Sequence, residues 1–561
     1  MSDSGVRHQA SGVSDGRPGS LDRREFVKGT ALAAGGLVLA PGLARAGAPI
    51  LSLADERRLR PGAGDYVDPA TRDLLLAALD AATAAGAEYA DARVARYLNR
   101  RVSTRERQIT GVSDTESMGI GVRALVHGSW GFAATDVLTR DAATDAGRQA
   151  AAVGHANAAV QRAAVRMAPV RAYGDVTWRS EYQVDPWDVP IEDVVALLLN
   201  ANAVALRQSG VAFASSGVHF VKEEKTLATT DGTIAAQTMV RTNPSLSISS
   251  VSADRSDFAS RDETLYPQGR GYEFLRDSLT DEAVEAWAAD AVAQLSAVPV
   301  EPGAYDLVLH PTHLWLTIHE SIGHPTELDR ALGYEANYAG TSFLAPPENV
   351  LGRVRYGPEF MNIQGERTSA GGLNTIGWDD EGVSADEWLM VRDGVFVDYQ
   401  TTREQVEWIR AQTGVSRSHG CAHGDSWRTI PFQRMPNMNL LPGEADLSVD
   451  DLIGATDRGI FIEGRSSYSI DQQRYNFQFS GQVAWEIRNG RKHRRLRDVA
   501  YQANTLDFWN AMDMIGGRSA YEVHGSFYDG KGQPGQVNAV SHGTPPARFR
   551  GVNVLNTGRR V

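Results

Sequence analysis

The stretch His319–Asp329, "HESIGHPTELD", constrains this chain more than any other. A His-Glu pair followed closely by a second His is the pattern of a helix that binds a metal ion, with the Glu as base. The familiar spacing puts the histidines at i and i+4. Here they are His319 and His324, at i and i+5. On an α-helix, positions four apart lie roughly 40° apart around the axis, and positions five apart roughly 140°. A straight helix would aim the two rings at different sides, so both reach one ion only where the helix deforms. Gly323 and Pro325 flank the second His. Glycine permits unusual backbone angles, and proline disfavours α conformation in the residue before it. The expectation is a helix that ends at its last turn, with His324 swung round on the exit.

A zinc peptidase needs three protein ligands, an open position for water and a nearby base. His319 and His324 would supply two ligands, and Glu320 would take a proton from the water. The same histidines also fit helix-end or core positions, and the motif alone does not choose.

The first 46 residues read as an address. Arg23-Arg24 in "DRREFVKG", an apolar small-residue stretch and Ala44-Arg45-Ala46 form the pattern of a twin-arginine (Tat) export signal with a cleavage site. Asp22 and Val27 depart from the usual residues at their positions. The reading places the mature protein in the periplasm or outside the cell. No run of 18 apolar residues occurs, so no membrane span is expected. A net charge of −13 argues against general nucleic-acid binding. The single cysteine, Cys421, excludes an intrachain disulfide.

The expected fold is α+β. After a linker at 47–68 comes an N-terminal α/β domain at 69–298, with helices from "DPATRDLLLAALDAATAAG", "TRDAATDAGRQAAAVGHANAA", "PIEDVVALLLNANAVALRQSG" and "DSLTDEAVEAWAADAVAQLSAV". Between them, residues 102–136 suggest short strands joined by Gly turns, and about residues 210–260 form a strand-rich segment. A β-rich domain at 299–561 follows, with runs such as "GVFVDYQTT", "GIFIEGRSS" and "NFQFSGQVAWEIRNGR" between turns.

The chain resembles the TldD/PmbA family of metallopeptidases. "HESIGHPTELD" is similar to the family's His-Glu-x-x-x-His signature. The "YAD" strand with the "GIGVR…GFA" run, the "PFQRMPNMNLLPG" segment and "DGKGQPGQ" are similar to other family regions, in order, over about residues 69–557. The resemblance implies a β-rich catalytic domain and peptide hydrolysis at zinc. It also implies pairing, as a homodimer or with a related, often metal-free subunit. In "YDGKGQ", Asp529 stands where active members have a cysteine as third zinc ligand. Asp529 is therefore a candidate ligand, since a carboxylate oxygen binds zinc; His542 or a plain turn residue are the alternatives. Arg434 and Asn437, in "RMPN", are candidates for binding peptide backbone or for structural roles. Glu327 is a candidate ligand, a partner behind a ligand, or an exposed helix-exit carboxylate.

Other residues invite a metal reading. His419, Cys421 and His423 would share one face of a strand, although the flanking glycines favour a loop. His310, His313, Trp315 and Leu316 read as helix-start or core residues. The combined reading is an exported zinc peptidase in which Glu320 activates water. Its rivals are a metal-free partner subunit and a non-catalytic exported protein that binds peptides or glycans. If the address is read correctly, changing Arg23 and Arg24 to Lys leaves an uncleaved precursor in the cytoplasm, as fractionation and N-terminal sequencing would show. Normal cleavage and export of that variant would contradict it.

Overall fold

In strands that carry apolar residues at every second position, one sheet face must be covered. The N-terminal strands follow this rule along most of their length, although residues 108–117 are exposed on both faces. A computed structural model describes residues 66–262 and 265–558. The expected signal at 1–46 and nearly all of the linker lie outside these residues. Helix α1 (Pro69–Ala84) starts at Asp68, whose side chain accepts from Thr71 N–H at 2.7 Å, with Pro69 at its first position. It leads into strands β1 (Tyr89–Arg105), β2 (Gln108–Val126) and β3 (Ser129–Thr135), then helix α2 (Arg140–Ala158). Strand β4 (Gly174–Arg179), helix α3 (Ile191–Ala205), strands β5 (Val211–Thr229), β6 (Thr233–Val251) and β7 (Phe258–Arg261), and helices α4 (Tyr272–Ser278) and α5 (Asp281–Ala293) follow.

The sheet order is β3-β2-β1-β5-β6-β4, with β7 on β6. Even-numbered residues face the helices. Ala90, Ala92, Val94, Ile120, Val122 and Ala124 pack under α1 and α2. Val102, Val218, Phe220, Leu246 and Ile248 pack under α3, α4 and α5 further along the same strands. Each such Val, Leu or Ile contributes about 1.5–3 kcal/mol by leaving water.

The strands are longer than the glycines suggest. β1 and β2 form one continuous hairpin turning at Glu106 and Arg107, and Gly119 and Gly121 lie inside β2. A Cβ on Gly119 would fall 2.4 Å from the Trp427 ring, and one on Gly121 would fall 2.0 Å from the Trp427 carbonyl oxygen. These glycines make room for a chain segment lying across the sheet rather than for turns.

The odd-numbered face carries charge. Arg93 pairs with Asp380 at 2.7 Å, and Lys225 reaches the same carboxylate at 2.6 Å. Arg123 bridges Asp91 at 2.7 Å and Glu381 at 3.1 Å. Arg241 pairs with Glu223 and donates to the Leu373 carbonyl. All these side chains are buried. Against the upward push of burial, Lys225 and Arg241 hold the Glu223 carboxyl down at about 2. The seam joins this sheet to the loops around 367–386 and 419–434.

A ten-stranded sheet organises the rest. Its central strand β8 (Gly303–Leu309) runs into helix α6 (Pro311–Ile318). With β9 (Asn437–Leu440) belonging to a separate small sheet, the remaining strands are β10 (Arg458–Glu463), β11 (Tyr468–Ile470), β12 (Asn476–Ser480), β13 (Val483–Arg488), β14 (Val499–Asn504) and, last in the chain, β17 (Ala547–Asn556). The order β11-β12-β14-β17-β8-β10-β13 continues into Arg491–Arg497 and Val298–Pro299, with Met512–Ile515 on β17. The hairpin of β15 (Glu522–Lys531) and β16 (Gln536–Thr544) packs on α6. His310 caps α6, accepting from Thr312 N–H, and His313 is buried between the Gly464 carbonyl and the Tyr501 hydroxyl. Trp315 and Leu316 belong to the main core. Among the described residues, no helix is long and apolar enough to cross a membrane.

Asp380→Ala strands Arg93 and Lys225 in the seam. The expected cost is about 3–5 kcal/mol, read from denaturant unfolding; a loss under about 1 kcal/mol would mean the seam is solvated.

Candidate metal centre

After Ile318 the chain does not stop being helical; it widens. His319–Gly323 form a π turn, in which His324 N–H donates to the His319 carbonyl five residues back. Such a turn stacks residues five apart as an α-turn stacks residues four apart. The His319 and His324 ring centroids lie 4.7 Å apart. The expected helix end is thus corrected: His324 keeps helical angles (φ −64°, ψ −40°) despite Pro325, which opens a 3₁₀ turn over His324–Thr326. Gly323 is helical too, with φ −55°. Its missing side chain matters because a Cβ would lie 2.7 Å from the Met435 sulfur.

A widened turn leaves carbonyls without their usual donors, and buried carbonyls need partners. Distant side chains supply them. The Tyr356 hydroxyl donates to the Ser321 carbonyl, Gln400 Nε2 to the Gly323 carbonyl at 2.6 Å, and Thr326 Oγ1 to the Ile322 carbonyl at 2.8 Å.

Asp529, on β15, faces the two rings. Its Oδ1 is 3.7 Å from His319 Nε2 and 3.6 Å from His324 Nε2. Ligand atoms of these three buried residues lie within 4.8 Å of one another, and among the described residues no other such metal-type group occurs. Two imidazoles and a carboxylate suit zinc or a similar divalent ion. Burial pushes the Asp529 carboxyl up, but His319, His324 and Arg434 hold it well below the usual carboxylate range. Burial and the Arg474 charge push His324 down to about 4, whereas at His319 the push of burial is outweighed by the Asp529 carboxylate, which raises it.

Each of the three has a fixed orientation. His324 Nδ1 meets Glu327 Oε2 at 3.0 Å. Glu327, fully buried, is held in turn by Arg330 at 3.0 Å and Lys531 at 3.1 Å. It therefore stands behind His324. Lys531 also pairs with Asp329 at 2.8 Å and donates to Gln433. His319 Nδ1 lies 2.8 Å from His542 Nε2. Arg434 is fully buried and donates to the carbonyl and carboxylate of Asp529. Asn437 is equally buried; its Oδ1 accepts from Asn374 and Ser541 N–H, and its Nδ2 donates to Thr375. Both residues of the "RMPN" segment thus lie within the protein scaffold around the centre. Glu320 accepts from Arg474 Nη1 at 2.6 Å.

The "HGCAH" segment is elsewhere. His419 lies between Asp386 (2.7 Å) and Asp398 (3.0 Å), stacked on Trp388. Cys421 is buried, its thiol pushed up to about 12 by burial. His423 lines a separate cavity with Glu223 and Tyr528. Arg474 and Lys531 were not singled out in the sequence. Lys531, two residues after Asp529 in "DGK", had a local signal; Arg474 had none.

The chain matches three family models in order: PmbA/TldA metallopeptidase domain 1 over residues 90–154, the central domain over 184–297 and the C-terminal domain over 302–556. It is 28% identical over 479 residues to a metalloprotease of Methanothermobacter thermautotrophicus, covering 84% of this chain and 96% of that one. It is 24% identical over 471 residues to a protein of Saccharolobus solfataricus named zinc metalloprotease TldD homolog, covering 84% and 97%. Its fold is similar to the crystal structure of TldE from Thermococcus kodakarensis, with a TM-score of 0.65 at 15% identity, covering 86% of this chain and 99% of that one.

Gln400→Ala removes the donor to the Gly323 carbonyl in the widened turn. The expected cost is about 1–3 kcal/mol by chemical denaturation. An unchanged midpoint would show that the turn does not depend on this bond.

Proposed function

We propose that this chain, which belongs to the PmbA/TldA metallopeptidase family, is a zinc-dependent peptidase for extended or unfolded peptides. The observation that carries the reading is the convergence of His319, His324 and Asp529, with Glu320 adjacent to the first. A zinc ion held by these three residues would supply Lewis acidity to the scissile carbonyl and to a water molecule.

The protein's own groups supply the rest. Glu320 takes the proton of the attacking water and passes it to the leaving amine. Arg474 grips Glu320 Oε2 and fixes the side chain, and Oε1 has no protein partner among the described residues. Strand β11 forms one edge of the ten-stranded sheet, and Arg474 lies in the turn from β11 to β12. A peptide added along the free side of β11 passes the base. Such pairing uses main-chain hydrogen bonds and imposes little side-chain preference.

The carboxylate at 529, where the family resemblance leads one to expect a cysteine, favours a second reading: a metal-free subunit shaping the groove beside an active partner. Under either reading the protein works as a homodimer or with a related subunit. Export by the N-terminal signal is part of the proposal.

Glu320→Gln keeps the shape and removes the base. It should lower turnover of an unstructured peptide about 100- to 10,000-fold while the variant still binds one zinc per chain. Asp529→Ala should lose zinc affinity as well as activity, and Asp529→Cys should bind zinc at least as tightly as the parent. Equal zinc content in the parent and Asp529→Ala would place the third ligand elsewhere, and no zinc in any of them would favour the metal-free subunit.

A further inference from the structure

His542 Nδ1 lies 3.2 Å from the Met438 carbonyl oxygen, on β9. A carbonyl only accepts, so Nδ1 carries the hydrogen. His542 is fully buried, and among the described residues no carboxylate lies within hydrogen-bond or ion-pair distance of it. Its Nε2 is therefore a bare acceptor. That nitrogen sits 2.8 Å from His319 Nδ1, too close for two lone pairs to face each other. The hydrogen between the rings must belong to His319 Nδ1. Trp315 stacks on the His542 ring at 6.1 Å and 12°, and holds its plane.

We infer that His542 is a positioning residue, not a metal ligand: through Met438 it fixes His319 as the Nδ1–H tautomer, so that the Nε2 lone pair points at the metal centre. The inference rests on the proposed metal site and deepens it. Glu327 plays the matching part for His324 Nδ1 with a carboxylate. The two ligands are thus backed unequally, one by a charged acceptor and one by a neutral ring fixed by the main chain. A metal-binding histidine is usually oriented by such a partner, and losing it typically weakens metal binding about 10- to 100-fold.

The test is zinc affinity, measured by competition with a chromogenic chelator on the full mature chain, for the parent, His542→Gln and His542→Leu. Gln keeps an acceptor oxygen; Leu keeps bulk and removes it. The expected result is an affinity loss of about 10- to 100-fold for Leu and less than about tenfold for Gln. X-ray absorption should count the same two imidazoles in every variant. Melting curves of the metal-free proteins identify any variant that fails to fold, and the Gln variant then decides. Parent-like affinity in the Leu variant would overturn the inference. So would three imidazoles in the parent falling to two in the variants, which would make His542 a ligand. A parent that binds no zinc overturns this inference and the peptidase reading together; a parent that binds zinc regardless of residue 542 overturns this inference alone.

Discussion

The hydrogen bond from His324 N–H to the His319 carbonyl, five residues back, is the constraint on which the rest of the centre depends. With ordinary α geometry the two rings would diverge, and no placement of Asp529 could meet both. The widened turn aligns them, but it leaves the Ser321, Ile322 and Gly323 carbonyls to be satisfied from outside the helix. Tyr356 and Gln400 come from loops far along the chain, and Thr326 from the turn that follows. The motif is short, but the geometry that makes it a candidate metal site is a product of the whole C-terminal half.

One segment, 434–438, gathers much of that support. Arg434 grips Asp529, and Met435 fills the space that Gly323 leaves open while its carbonyl accepts from Asn374 and Asn538. Asn437 ties Asn374 to Ser541, and the Met438 carbonyl receives His542. The three elements that carry His319, Asp529 and His542 are thus indexed to one extended stretch. Its main chain pairs with the strand at Ile363–Glu366, and its Met435 and Met438 carbonyls receive the side chains of Asn374, Asn538 and His542. The buried charged seam does similar work at larger scale, binding the N-terminal sheet to the loops that flank this segment.

Much of this was legible in the sequence. Period-2 alternation and helix-start signals gave the N-terminal helices and strands, because there the local pattern and the tertiary burial agree. The His-Glu-x-x-x-His stretch and, through the family resemblance alone, the aspartate of "DGK" pointed to residues that the fold brings together. The shape of the helix was not legible: Gly323 and Pro325 suggested a terminus, whereas the chain answers the same strain with an i→i+5 turn whose carbonyls are satisfied by Tyr356 and Gln400. The glycines of β2 misled in the same way, since their reason is Trp427, some three hundred residues away. Arg474 could not be found locally, because its relation to Glu320 exists only across the assembled fold.

The central claim is that His319, His324 and Asp529 form one metal centre with His542 behind it. Anomalous scattering at the zinc edge, from crystals of the purified mature protein, tests it most directly. The account predicts a single strong peak about 2.0–2.2 Å from both His Nε2 atoms and an Asp529 oxygen, with His542 beyond bonding distance. No peak there, or a peak bonded to His542 or among His419, Asp386 and Asp398, would contradict it.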